Sequence, residues 1–200
     1  MGTMKTLRNQ QSGFSLIELI MVMAIMLVMA AIALPTMNYA IKDYRLRATA
    51  SSLKYVFQQG RFQSVKNNTM YSIVSAASPG GGTRVFVDLN NSGTWDGVEA
   101  AVDIPSSISL QTNANSPSNS TMSLTNASGY TNGMTSVSVN FNSRGLPCTG
   151  SNPCNTTKGY VLYLQDSTRT NGFAAVSITP AGRMKTWFWS GATISSGKWY

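Results

Sequence analysis

Residues 13–35, GFSLIELIMVMAIMLVMAAIALP, decide how the chain is read. The 21 residues from Phe14 to Leu34 carry one charged side chain, Glu18. As a helix they extend about 31 Å, enough to cross the hydrocarbon core of a bilayer. A carboxylate at that depth costs about 3 kcal/mol or more without a partner, so Glu18 is a functional candidate. No Lys or Arg lies between Phe14 and Ile41. A free amino terminus on Phe14 would supply the missing cation.

The preceding residues 1–13, MGTMKTLRNQQSG, are short and polar, with Lys5 and Arg8 and no acid. An ordinary secretory signal is cut after its apolar core, whereas here the small residue Gly13 comes before it. Cleavage after Gly13 would therefore leave the apolar segment on the mature chain. An uncleaved signal anchor with an incidental glycine is the alternative reading.

The pattern Gly13-Phe14-Ser15-Leu16-Ile17-Glu18, the apolar run and then Pro35 resemble the class III signal of type IV pilins and type II secretion pseudopilins. The resemblance implies that a prepilin peptidase cuts between Gly13 and Phe14 and methylates the new amine. It also implies that Glu18 pairs with the Phe14 amine of a neighbouring subunit during assembly. Ser15 stands where threonine is frequent. The implied location is the bacterial inner membrane, crossed once, with a periplasmic head that enters a pilus or pseudopilus.

The 187 residues after Gly13 are expected to form a helix over 14–66, with 14–34 as its transmembrane and assembly segment, and one β-rich head over 67–200. Charged residues are only 11% of the chain, a balance more typical of an extracytoplasmic head than of a cytosolic helical protein. The net charge is +8, and loss of Lys5 and Arg8 leaves side chains summing to +6. That excess suits anionic partners, nucleic acid or lipid headgroups, as well as plain solubility. Cys148 and Cys154 enclose TGSNP, and in an oxidising periplasm this spacing suggests a disulfide closing a turn. Histidine is absent, so two thiols alone make a poor zinc or redox site.

Past Pro35, which lacks an amide hydrogen and is expected to kink or loosen the helix, helical periodicity continues. Leu46, Leu53, Phe57 and Val65 fit one face that would dock on a sheet. Arg47, Lys54 and Arg61 fall seven apart on another, read as a solvated basic stripe or a contact for an acidic neighbour or nucleic acid. Beyond Asn68 the pattern changes to short β runs at 70–75, 84–89, 107–112, 136–142, 160–165, 173–179 and 183–189, separated by Gly, Pro and Asn. The fold class is α+β, a long N-terminal helix on antiparallel sheets. Residues 113–133, polar and poor in large apolar groups, read as an exposed loop.

The segments 53–68, 85–99, 139–147 (VNFNSRGLP) and 178–185 (ITPAGRMK) look like successive landmarks of the GspH/FimT family of minor pilins and minor pseudopilins. That family packs a long N-terminal helix against two small sheets.

Two constellations bear on function. In GRMKTWFW, residues 182–189, strand alternation puts Arg183, Lys185, Trp187 and Trp189 on one side. Two cations and two indoles there would hold phosphates and stack bases; the plainer reading packs the tryptophans against the helix. FimT-type minor pilins carry a Gly-Arg-x-Arg motif here that binds DNA for natural transformation, and Gly182 and Arg183 match while Lys185 replaces the second arginine. Lysine still neutralises phosphate but loses the planar fork.

The second constellation is Asp88, Asn90, Ser92, Asp96 and Glu99, whose spacing with Gly93 reproduces an EF-hand calcium loop. Trp95 and the strand-like flank VFVDL instead favour an Asn/Gly-rich hairpin turn. No cofactor besides this candidate Ca2+ is expected. Without histidine, a nucleophile elbow or a placed acid–base pair, the chain reads as a non-enzyme. The family resemblance implies a minor type IV pilin that joins or primes a pilus and binds DNA, or a minor pseudopilin of type II secretion. Its partners would be pilin or pseudopilin subunits, prepilin peptidase, the inner membrane and DNA.

Overall fold

The structure is a computed structural model and describes residues 13–112, 116–117, 122, 130–150, 154, 156–191 and 193–200. One helix, α1 (Leu16–Lys66), continues through Pro35. Eleven strands follow: β1 (Tyr71–Ala77), β2 (Thr83–Asp88), β3 (Ala101–Ile104), β4 (Ile108–Gln111), β5 (Tyr130–Asn132), β6 (Ser138–Phe141), β7 (Pro147–Thr149), β8 (Thr156–Thr157), β9 (Gly159–Asp166), β10 (Phe173–Ile178) and β11 (Met184–Phe188). The chain divides into two compact units, Met1–Ile41 and Lys42–Tyr200, so the second half of α1 belongs to the same unit as the sheets.

Within the Lys42–Tyr200 unit there are two sheets, one in the order β3-β2-β1-β6-β7-β8 and one in the order β11-β10-β9-β4. Every ladder is antiparallel except that of β5, which runs parallel to β9. With that one parallel pair the head is mainly antiparallel, as expected. All seven strand runs read from the sequence are present; β3, β5, β7 and β8 were not read, the last three having only two or three residues in which to show a period.

Leu46, Ala50, Leu53, Phe57, Gly60 and Ser64 line the buried face of α1 at alternating steps of four and three. Phe57 and Leu53 are fully buried, and burial stabilises each by roughly 1.5–3 kcal/mol. Val65, expected on this face, is 52% exposed, and Ser64 takes its place with its hydroxyl donating to the Gly60 carbonyl at 2.8 Å. At about 100° per residue, position 64 lies nearly under Phe57 while 65 is turned well away. Gly60 lets the helix approach β1 closely, because a Cβ there would meet Ile73 Cδ1 at 2.7 Å.

The main core lies between α1 and both sheets, with Ile73, Val87, Val139, Leu162, Leu164, Val176 and Ile178 among its members. The Tyr160 hydroxyl of β9 donates to the Cys148 carbonyl of β7 at 2.8 Å and ties the sheets together. The opposite face of β9 and β10 is covered as well. Val161, Tyr163, Phe173 and Ala175 pack there with Met122 and Trp199. Double coverage explains why β10 is buried at every position. Burial pushes the Tyr163 hydroxyl up to about 12.

Met122 and Ser116 are buried, and β5 begins at Tyr130. This corrects the reading of 113–133 as an exposed loop at those positions and at Pro117, which is buried too; the other residues between Thr112 and β5 lie outside the described set.

Candidate assembly and binding sites

On β11 the expected alternation holds. Met184 and Phe188 pack against the main core, while Trp187 and Trp189 pack against the second cluster. The tryptophans therefore lie on the side of the sheet away from α1, not against the helix. The Lys185 Nζ sits 3.5 Å from the Trp187 ring centroid, and the Trp187 indole N–H donates to Ser177 Oγ at 2.8 Å. Trp189 meets Trp199 at 5.3 Å between centroids and donates to the Thr193 carbonyl at 3.1 Å. Protein groups thus occupy the half-buried indoles, and an open stacking platform is not presented. Arg183 and Lys185 are exposed.

The 88–99 loop is held by its own carboxylates. Asp88 is buried, and its two oxygens accept the amides of Ser92 at 3.0 Å and Gly93 at 2.9 Å. Asn90 Oδ1 also accepts the Ser92 amide, Asp96 Oδ1 accepts the Val98 amide, and Glu99 Oε1 accepts the Leu89 amide at 2.8 Å. Ser92 Oγ donates to the Thr94 carbonyl. Among the described residues no three His, Cys, Asp or Glu side chains gather in a metal-holding group. In this structure the short strand-to-strand connection turns the oxygens of Asp88, Asn90, Ser92, Asp96 and Glu99 onto backbone amides, the arrangement of the hairpin-turn reading. Glu99 is buried, and its Oε2 has no hydrogen-bond partner among the described residues. Burial raises its pKa first of all; the Leu89 amide opposes this, and the charges of Asp96 and Asp88 add to it.

Arg84 braces the same connection, its Nε donating to Asp103 Oδ1 at 2.7 Å and its Nη2 to Oδ2 at 2.8 Å while its guanidinium stacks 3.9 Å from Trp95. The Arg84 hydrogen bond holds the Asp103 carboxyl below the usual carboxylate range.

At the other end of the chain, α1 starts immediately after Gly13-Phe14-Ser15, with the Ser15 carbonyl accepting the Glu18 and Leu19 amides. Phe14 is 83% exposed, and a Cβ on Gly13 would meet nothing within 4 Å. Leu16 through Leu34 are exposed throughout, so this apolar stretch finds no cover among the described residues. Glu18 makes no ion pair among the described residues.

Residues 8–34 match the family described as the prokaryotic N-terminal methylation motif. The chain carries a prokaryotic N-terminal methylation motif. It covers the Gly13-Phe14 junction and the apolar helix as far as Leu34. No curated protein matches the chain. Among solved structures, the type IV minor pilin FimU of Pseudomonas aeruginosa is similar in two crystal forms. One shares 15% identity at a TM-score of 0.46, over 70% of this chain and 86% of that one. The other shares 16% at 0.47, over 70% and 91%.

Several polar contacts escaped the sequence reading. The basic stripe is not simply solvated. Arg47 donates to the Tyr200 hydroxyl at 2.7 Å and stacks 4.4 Å from Phe188, and Arg61 donates to the Gly182 carbonyl at 2.9 Å. Arg169 pairs with Asp43 beside the same aromatic groups. Cys148 and Cys154 form the expected disulfide. Two turns meet at Arg61, and both have a glycine at positive φ, Gly145 at 72° and Gly182 at 77°. A Cβ on Gly145 would meet Arg61 Nε at 3.2 Å, and one on Gly182 would meet the Gly145 carbonyl oxygen at 3.0 Å. The available signal was an arginine beside a glycine in each turn, Arg144-Gly145 and Gly182-Arg183.

Proposed function

We propose that the chain is a minor type IV pilin, processed between Gly13 and Phe14 and held in the inner membrane by residues 14–34. Glu18 pairs with the Phe14 amine of a neighbouring subunit as the chain joins or primes a pilus. The observation that carries this reading is an apolar helix, exposed from Leu16 to Leu34 and bearing one carboxylate, directly after the Gly13-Phe14 junction. Such a surface needs lipid or other helices around it, and an acid at that depth needs a cation. The head carries a DNA-binding surface in which Arg183 and Lys185 contact backbone phosphates, supported by their exposure and by the chain's positive charge.

Glu18→Ala is expected to leave membrane insertion intact and to reduce recovery in sheared pili. Normal incorporation would refute the pairing. Absence from pili together with recovery in a complex of secretion pseudopilins would move the assignment to a minor pseudopilin of type II secretion.

A further inference from the structure

We infer that the DNA contact extends beyond β11 into a phosphate-binding corner made by three separate segments, with Arg144 as an additional contact and Arg61 as the residue that positions it. This rests on the DNA reading above and adds to it the residues that grip the backbone. Arg61 of α1 reaches across to donate to the Gly182 carbonyl, with its Nε against the Gly145 turn as well. Arg144 and Arg183 each sit one residue from that junction, and all three arginines are exposed.

Both turns are fixed. Asn142 Oδ1 accepts the amides of Arg144 and Leu146, and Thr179 Oγ1 accepts the amide of Arg183. All seven acids of the chain lie among the described residues, yet the two ion pairs found there are Arg84–Asp103 and Arg169–Asp43. The three arginines of the corner are therefore in no ion pair among the described residues. Guanidinium forks suit phosphate oxygens. The indoles of Trp187 and Trp189 are engaged with protein groups, so recognition at this corner is electrostatic and indifferent to base sequence.

The test is fluorescence anisotropy of a labelled mixed-sequence DNA duplex with the full chain in detergent micelles, titrated between about 50 and 200 mM salt. The wild type is expected to bind with a steep salt dependence. Arg144→Ala is expected to bind roughly tenfold more weakly at low salt, with a log–log salt slope shallower by about 1, and Arg144→Lys to recover most of that slope. Since no hydrogen bond or ion pair of the Arg144 side chain is present among the described residues, thermal melts should be unchanged; Arg144→Gln replaces Arg144→Ala if it misfolds. Wild-type binding that Arg144→Ala retains but Arg183→Ala/Lys185→Ala loses would overturn the corner and leave the DNA reading standing. No binding by the wild type would overturn both. Binding to anionic phospholipid vesicles that the duplex fails to compete would overturn the corner in favour of a lipid headgroup site.

Discussion

Breaking the Cys148–Cys154 cross-link should cost a definite and modest part of the head's stability. The bridge joins Cys148 of β7 to Cys154, two residues before β8, with Cα atoms 5.8 Å apart and a sequence separation of 6. For so short a loop the chain-entropy relation gives roughly 2 kcal/mol at 25 °C, since few unfolded conformations are removed. In a unit of this size that corresponds to a melting shift of about 4–8 °C. Both cysteines are buried, so reduction keeps their volume in place and isolates the cross-link, whereas Cys148→Ala/Cys154→Ala also removes sulfur packing. Urea unfolding of the full chain in detergent micelles, followed by tryptophan emission with and without reductant, reads the difference. Reduction should lower the midpoint at an unchanged m-value. A reduced protein with the same midpoint and slope would refute the reasoning, because the bridge would then restrict nothing that the β7–β8 ladder does not already restrict.

Two further outcomes are expected in the same system. Phe57→Ala, at a fully buried position facing both sheets, should destabilise the head by about 3–5 kcal/mol in urea unfolding, and a loss under 1 kcal/mol would contradict the packing described. Glu99→Gln keeps an acceptor for the Leu89 amide but cannot titrate. The native pKa of Glu99 lies above its unfolded value, so the folded state holds more protons between the two, and stability falls as pH rises through that window. The variant should therefore gain on the wild type as pH rises from the ordinary carboxylate pKa toward neutrality, and a gap that stays constant would refute the buried-carboxylate account.

The sequence alone determined the apolar helix with Glu18, the helical face through Leu46, Leu53 and Phe57, and the seven longer strands. Each is a local pattern with a period of 3.6 or 2, which a linear reading can follow. The disulfide was legible for the same reason, its two cysteines being six residues apart. Tertiary structure decided what those patterns meet. Alternation placed Trp187 and Trp189 on one side of β11, but only the position of the sheet determined that this side faces Met122 and Trp199 and not α1. The spacing of Asp88 to Glu99 fitted a cation loop while its flanks favoured a turn, and only the folded backbone shows those oxygens directed onto amides. Arg61 and Gly182 are 121 residues apart in sequence, and no local period connects them. Their contact exists because packing of α1 on the sheets brings two glycine turns to one guanidinium.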